Sequence, residues 1–537
     1  MINNISTYTL KKILESQTEM SLIDIREEGE FSQGHILLAN CIPLSYLELI
    51  IADLIPKKSI QIIIMDLGAN ESSTIEAATK LLNWGYINVS ILKGGLTNWK
   101  NEGNVIFEGV NVPSKAFGEF IEKHYETPSI TANELNKRMN SNKDITVIDT
   151  RPADEFKRMN IPGAINVPGA ELVYRIHDLV SNPETEIIIN CAGRTRSIIG
   201  AQSLINAGTP NNILALENGT MGWHLAGFNL SYGTSSKKLT LSNIGVKKAK
   251  KAANLVATKY HINFVNLKTI TEWKKETNSP TLYLLDVRSP TEFRHSHLKG
   301  SRNAPGGQLV QALDSYVGVR NSRIVLIDDT EVRSIMTASW LIQMGWKDVH
   351  VLADGIKSKK VTSEPHQSII YGTFWTKSIN PKQLQNYIKK NQVLVIDIDS
   401  SLKYRDGHIP GAYWSVRSRL SKEMVNLPSN KTIVIVSNNE SLAKLTASDL
   451  SESLNISDIY ILEGGTNNWS ANSYPLEQGL SKTLGPPNDV LYKPYDNLEG
   501  VKEAMRQYLE WEIALTEKIT FDKTLTFIEP GYFSKNC

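Results

Sequence analysis

The sequence predicts an α/β protein of four tandem domains, each a mainly parallel sheet flanked by helices, followed by a C-terminal helical tail. Three observations carry this expectation. A short apolar strand ending in aspartate recurs four times, as Leu22-Ile-Asp24, Val147-Ile-Asp149, Leu284-Leu-Asp286 and Val395-Ile-Asp397. From that aspartate to the residue after the next β-branched run is 42 positions in three copies (24 to 66, 149 to 191, 286 to 328) and 40 in the fourth (397 to 437). The copies themselves are irregularly spaced, with 125, 137 and 109 residues between those loop starts. Constant interiors joined by variable connectors describe independent domains rather than a solenoid.

Within each copy the elements follow in one order. After the first aspartate comes an arginine two residues on (Arg26, Arg151, Arg288), replaced in the fourth copy by Asp399. An acidic or polar residue and an aromatic follow: Glu30-Phe31, Glu155-Phe156, Glu292-Phe293 and Lys403-Tyr404. A turn comes next, His408-Ile-Pro-Gly-Ala412, matched by Asn160-Ile-Pro-Gly-Ala164, His297-Leu-Lys-Gly-Ser301 and a worn His35-Ile-Leu-Leu-Ala39. The β-branched runs Ile60–Met65, Glu186–Asn190, Arg323–Ile327 and Thr432–Val436 suit strands buried on both faces of a parallel sheet. A polar loop and an amphipathic helix follow each run. The helix ends before Gly85, Gly208, Gly345 or Asn455, residues that accept a left-handed backbone. A last short strand leads to a glycine and, in three copies, a core tryptophan: Gly95/Trp99, Gly219/Trp223 and Gly465/Trp469, with Gly355 alone in the third.

These signals place domains at 1–104, 128–230, 261–357 and 378–480, with connectors near 104–127, 231–260 and 358–377. Residues 485–537 depart from the pattern. There Leu498–Lys518 reads as one helix with an apolar stripe of Val501, Met505, Leu509 and Ile513, expected to dock onto the last domains, with a partner-binding helix as the alternative.

Composition narrows the function classes. The 537 residues carry 58 basic and 56 acidic side chains, so no electrostatic argument favours nucleic acid or a membrane surface. Lys247–Lys251 reads as a solvated helix face. No apolar stretch is long enough to span a bilayer, and Met1–Leu10 lacks the basic and apolar regions of a signal peptide. Three cysteines, Cys41, Cys191 and Cys537, do not make a disulfide framework. The expectation is a cytoplasmic protein with very few candidates for thiol chemistry.

In open α/β sheets ligands sit at the carboxyl ends of the strands, so the loop after the second run is where chemistry belongs. The second copy reads Asn190-Cys191-Ala192-Gly193-Arg194-Thr195-Arg196-Ser197. Its sisters align without gaps: Asp66 to Ser72, Asp328 to Ser334 and Ser437 to Ala443. Only the second copy starts with a thiol. Backbone N–H groups curling around the sulfur, the positive end of the following helix, and Arg194 and Arg196 together favour the thiolate, the nucleophilic form. The same donors suit an anionic substrate group.

The series Asp-x-Arg, Glu-Phe, Ile-Pro-Gly-Ala, Cys-x4-Arg-Ser and Gly-x3-Trp resembles the rhodanese-type sulfurtransferase domain, and the layout is similar to four-domain thiosulfate sulfurtransferases of that kind. The connector Gly109-Val-Asn-Val-Pro-Ser-Lys-Ala-Phe-Gly-Glu119 resembles theirs too, as does the tail. The resemblance implies four rhodanese-like domains. It makes Cys191 the nucleophile that accepts a sulfane sulfur as a persulfide, from a thiosulfate-like anion, for delivery to cyanide or a thiol. It gives donor binding to Arg194 and Arg196, and a sulfur cradle to the amides of Ala192, Gly193, Arg194, Thr195 and Arg196. Asp149 and Arg151 match the family's strand-end pair and read as structural. No metal or organic cofactor is implied.

Departures from the pattern bear on the other domains. Asp66, Asp328 and Ser437 stand at the nucleophile position and cannot carry a persulfide, so those domains are expected to be inactive. Asp66 or Asp328 is placed to enter its own amide cradle as a built-in anion. Two other classes compete. Phosphatase loops of a related fold have Cys-x5-Arg, and the arginine here falls one position earlier, which favours a single sulfur over a phosphoryl group. A persulfide carrier or scaffold with little turnover is the alternative that the three inactive copies support. Cys41, read as lying in a turn, is expected to be an inert packing residue, Cys537 a terminal thiol, and His35, His297 and His408 structural turn residues.

Overall fold

The computed structural model describes residues 2–68, 72–141, 143–236, 239–357, 361–427 and 431–535. Cys537 and residues 69–71 of the first copy's loop lie outside them. Four parallel five-stranded sheets carry the architecture, all in one order: with strands numbered along the chain within each sheet, 1-5-4-2-3. In the second domain the strands are Ser129–Ile130, Ile145–Asp149, Ile165–Asn166, Glu186–Asn190 and Ile213–Leu216. The fourth strand of each sheet is therefore central, and Ile187, Ile188 and Ile189 are fully buried on both of its faces. The helices that follow, Ser72–Asn83, Thr195–Asn206, Val332–Gln343 and Glu440–Leu454, end at the residues the sequence marks. Gly85, Gly208, Gly345 and Asn455 have φ of 87°, 72°, 92° and 51°, which reverses the chain toward the fifth strand.

The chain forms two compact units. One comprises Met1–Leu10, Ser21–Val110 and Ser368–Asn497, which holds the first and fourth sheets. The other comprises Lys11–Met20, Asn111–Gln367 and Leu498–Cys537, with the second and third sheets and the tail. Two connectors are themselves helical, Val112–Tyr125 and Asn243–Lys259. Lys247, Lys248 and Lys251 are exposed on the latter.

The repeated Asp-x-Arg motif is a staple. Arg26, Arg151 and Arg288 pair with Asp24, Asp149 and Asp286 at 2.5, 2.7 and 2.6 Å. Each then donates to a carbonyl eight residues on, at Gly34, Met159 or Ser296. The turn residues sit beside it. His35, His297 and His408 stack on Phe31, Phe293 and Tyr404 with ring centroids 3.7–3.9 Å apart. Asn160 in the second domain keeps the bond to the preceding helix, donating to the Phe156 carbonyl at 3.0 Å.

The fourth copy has lost the staple's cation. Burial, with Asp399 adding a like charge, pushes the Asp397 carboxyl up to about 7. Burial also pushes Glu27 of the same unit up to about 7, against the hydrogen bonds from Ser45 and Ser418. Each group holds its proton in the folded state over a window, from about 4 to about 7, in which the unfolded chain has released it. This unit therefore loses stability as pH rises through that window. Urea midpoints recorded between pH 5 and 8 are expected to fall with pH, and Asp397→Asn is expected to remove about half of the slope. An Asp397→Asn profile parallel to that of the wild type would contradict the assignment.

Two readings are corrected. Cys41 lies on the short strand Ala39–Cys41 rather than in a turn, with its thiol 3.8 Å from the Arg26 carbonyl. The tail helix spans Val501–Lys518 and buries Met505, Leu509, Glu512 and Leu515, while Ile513 is 47 % exposed. It packs against the connector helix Val112–Tyr125 and the second domain's loop, and beyond it the tail reaches the third domain, where Ile528 N–H donates to Gln343 O at 2.8 Å. The apolar stripe is rotated because a buried cation, Lys115, draws Glu512 inward.

Candidate active site

The central strand of the second domain delivers Asn190 and Cys191 to the sheet's carboxyl end. Asn190 is fully buried and donates to Asp149 Oδ2 at 2.9 Å and Thr220 Oγ1 at 3.0 Å. Asp149, paired with Arg151, thus anchors the strand at the residue before the nucleophile. From the other side the turn Asn218-Gly219 clamps the loop. Thr220 donates to the Cys191 carbonyl through both N–H (2.8 Å) and hydroxyl (2.9 Å), and Met221 N–H donates to Ala192 O. Gly219 has φ of 53°, and a methyl group there would lie 2.5 Å from the Cys191 carbonyl oxygen. The Gly-x3-Trp motif is therefore a loop clamp, with Trp223 buried behind it.

Cys191 is 2 % exposed. Its sulfur is 3.6 Å from Ser197 Oγ, and that hydroxyl donates to Arg194 O at 2.7 Å. The helix Thr195–Asn206 starts in this loop, so its positive end lies beside the sulfur. Both arginines are close by and both are already paired. Arg194 forms a bidentate pair with Glu119 at 2.6 and 2.8 Å and a further bond to Glu122. Burial works against its charge, but Glu119 and Glu122 hold the guanidinium above its ordinary range. Arg196 pairs in the same forked way with Glu155 at 3.0 and 2.8 Å.

Four further residues come from outside the domain, and the loop sequence gave no sign of them. Glu512 of the tail helix is fully buried and accepts from Thr195 Oγ1 at 2.7 Å and from Lys115 Nζ at 2.9 Å. Lys115 also donates to Tyr508 Oη at 2.5 Å. Burial disfavours the Lys115 ammonium, but Glu512 and Tyr508 raise it above its usual range. Gly193 faces this helix: a methyl group there would sit 3.0 Å from Glu512 Oε2 and 3.4 Å from Tyr508. Gly118 plays the same part for the connector helix, where a methyl group would press on Thr195 at 2.8 Å. The signal for Lys115, Gly118 and Glu119 was the connector stretch ending at Glu119; for Tyr508 and Glu512 it was a polar pair inside an amphipathic helix.

Among the described residues, each sister loop has a carboxylate against one or more of its N–H groups. Asp328 accepts from the N–H groups of Glu331 (2.6 Å) and Arg333 (3.0 Å) and from Ser334 Oγ (3.1 Å). By the gapless alignment these donors correspond to Arg194 N–H, Arg196 N–H and Ser197 Oγ around Cys191. In the fourth domain Asp399, the residue that replaced the staple's arginine, accepts from Ser437 Oγ (2.7 Å) and Asn438 N–H (3.0 Å). Asp66 accepts from Gly68 N–H at 2.7 Å. Among the described residues no group of side chains could hold a metal ion.

The Rhodanese-like domain family matches the chain at residues 6–102, 131–226, 269–360 and 380–472. A crystal structure of a thiosulfate sulfurtransferase from Pseudomonas aeruginosa is 39 % identical, with a TM-score of 0.92 over 98 % of this chain and 99 % of its own. Curated relatives match over single domains. An HTH-type transcriptional regulator of Mycobacterium tuberculosis is 31 % identical over 105 residues, 20 % of this chain and 45 % of the regulator. The uncharacterized protein YqhL of Bacillus subtilis is 33 % identical over 92 residues, 17 % of this chain and 71 % of that protein. The chain thus spans less than half the length of the first of these relatives.

Proposed function

The chain belongs to the rhodanese-like domain family, and as a rhodanese-type transferase, we propose, it moves a sulfane sulfur from thiosulfate or a similar donor to cyanide or a thiol through a persulfide on Cys191. One observation supports this most: of four equivalent loops, three set a carboxylate against a loop N–H group, that of Gly68, those of Glu331 and Arg333, or that of Asn438, and one has a thiol at the equivalent position. A cradle that stabilises a carboxylate in one copy suits a thiolate, or a persulfide anion, in another. In the loading step the Cys191 thiolate attacks the outer sulfur of thiosulfate. The S–S bond of the donor breaks and its electron pair leaves on sulfite, so the charge on the protein is unchanged. The loop from Ala192 to Arg196 binds the donor, its amides and the helix N-terminus facing the anion. Arg194 and Arg196 add less than two free charges, because Glu119, Glu122 and Glu155 already pair with them.

A reducing cytoplasm would keep Cys191 a thiol, and we assign the protein there; no described helix is long and apolar enough to cross a membrane. The three loops that lack a thiol support one second reading, a carrier that hands its persulfide to a partner protein with little turnover on small molecules. Mass spectrometry after incubation with thiosulfate is expected to find one added sulfur atom on the Cys191 peptide. An unmodified Cys191 overturns the proposal; an adduct that cyanide and small thiols fail to remove supports the carrier.

A further inference from the structure

The second and third domains each hold a guanidinium at the same place. Glu155, on the short helix Ala153–Arg158, forms a forked pair with Arg196 of the loop at 3.0 and 2.8 Å. Glu292 accepts from Arg333 through both oxygens, each 3.0 Å from Nη1. By the gapless alignment both arginines stand at the sixth position of their loops. The fourth domain has lost both partners, with Lys403 and Leu442 at the two positions. The first domain has kept one of them: Glu30 remains, and the loop sequence from Asp66 to Ser72 contains no arginine. Glu30 borders instead an open cavity of about 570 Å³, in the size range of small-molecule sites, within the unit that holds the first and fourth sheets. The apolar Ile25, Leu44 and Leu67 and the carboxylates Glu27, Glu30 and Asp66 line it.

Three cations share the cavity, and none takes the place of the sisters' arginine. Arg26 is committed to Asp24. Arg419 donates to Asn488 Oδ1 at 2.7 Å and to Pro486 O at 2.9 Å, and its Nε lies 3.3 Å from Glu423. Its Nη1 is 4.0 Å from Glu30 Oε1, too long for a hydrogen bond. Lys422 is exposed and, among the described residues, makes no ion pair. Glu30 accepts two long bonds, from Asn488 Nδ2 at 3.2 Å and Glu27 N–H at 3.4 Å, which leaves a lone pair on each oxygen. The equivalent Glu292 meets both demands at once, taking the Ser289 N–H at 3.1 Å while it binds Arg333. We infer that this cavity of the first domain binds the guanidinium group of a ligand, which Glu30 receives as Glu155 receives Arg196. The group that two sisters supply from their own loop comes here from outside. Asp66, at the nucleophile's position, adds a second negative charge to the lining. The planar fork of a guanidinium matches the two oxygens of a carboxylate, which an ammonium does not. A ligand that also carries a carboxylate has Lys422 to receive it. The site is independent of the persulfide reading.

Titration calorimetry on the full-length protein with arginine, N-acetylargininamide and lysine tests this. Arginine is expected to bind with a Kd of about 1 mM or tighter, and about tenfold more tightly than lysine. Glu30→Gln, which preserves the helix cap, is expected to weaken arginine binding by about tenfold and to erase the preference over lysine. N-acetylargininamide stands for an arginine within a chain. Its binding as tightly as arginine assigns the site to a peptide side chain; tighter binding of arginine assigns it to the free amino acid, with Lys422 on the carboxylate. Equal affinities for arginine and lysine overturn the inference, as does the absence of binding by all three, or arginine binding that Glu30→Gln leaves undiminished. The wild-type comparison holds by itself, and an unchanged urea midpoint for Glu30→Gln shows that the variant is folded.

Discussion

Replacing Cys191 with serine is expected to abolish the thiosulfate adduct and to lower turnover by about 10³-fold or more. The substitution changes one atom in a site that tolerates it. A serine hydroxyl retains the contact with Ser197 and the clamp from Thr220 acts on the backbone, so the loop keeps its shape. No sister loop can compensate. Asp328 is held by two N–H groups and a hydroxyl, Asp399 has entered the fourth loop, and Asp66 folds back on Gly68. Cys41 is on a different strand, near the Arg26 carbonyl. Turnover with cyanide gives the rate, and peptide mass spectrometry gives the location. An adduct that persists in Cys191→Ser would move the sulfur centre to another cysteine and sink the assignment.

Arg333→Met is expected to destabilise the unit holding the second and third sheets by about 3–5 kcal/mol. Arg333 is fully buried and is the counter-charge of four carboxylates: Asp329 at 2.6 Å, Glu171 at 2.8 Å, Glu292 at 3.0 Å and Asp328 at 3.7 Å. Its guanidinium also stacks 4.5 Å from the Tyr174 ring centroid. Glu171 belongs to the second domain and the others to the third, so one side chain ties the two sheets together. Methionine fills much of the volume and supplies no charge, which leaves Asp328 and Glu171 buried beside one another's field. Burial already raises the Asp328 carboxyl against the pull of Arg333. Without the arginine it rises further, so the deficit is largest near neutral pH and shrinks as acid protonates the group. Urea unfolding followed by tryptophan fluorescence reads the loss, since Trp340 packs in this unit. An unchanged midpoint would show that the four carboxylates find other partners.

Much of the fold was legible because its signals are local. The strand runs, the 42-residue interval and the residues that end each helix are set by the short stretches that carry them, and four copies repeat the message. The thiol at Cys191 was legible for the same reason, since three sisters show what the loop looks like without it. What lay outside the sequence's reach were partners brought in from far along the chain. Arg194 and Arg196 read as free cations because Glu119 is 75 positions away and Glu155 is 41. The inward turn of Glu512 contradicts its residue type: a carboxylate on an amphipathic helix belongs to the solvent face unless a buried cation awaits it, and Lys115 is 397 positions away. Ile513 was assigned to the core by the same periodicity and is half-exposed. The loss of the fourth staple was visible at Asp399, but its capture of the neighbouring loop required the third dimension.

The tail helix also sets a timetable. A ribosome that has just finished the second domain has made Cys191 and its clamp, but not the residue that closes the loop's open side. Thr195 and Glu512 are 317 positions apart. At about 5–20 residues per second, that interval lasts roughly 15–60 s. Throughout it the growing chain carries a thiol loop with Gly193 uncovered and Lys115 without its carboxylate. A chain that stops short of this helix therefore presents a different site from one that contains it.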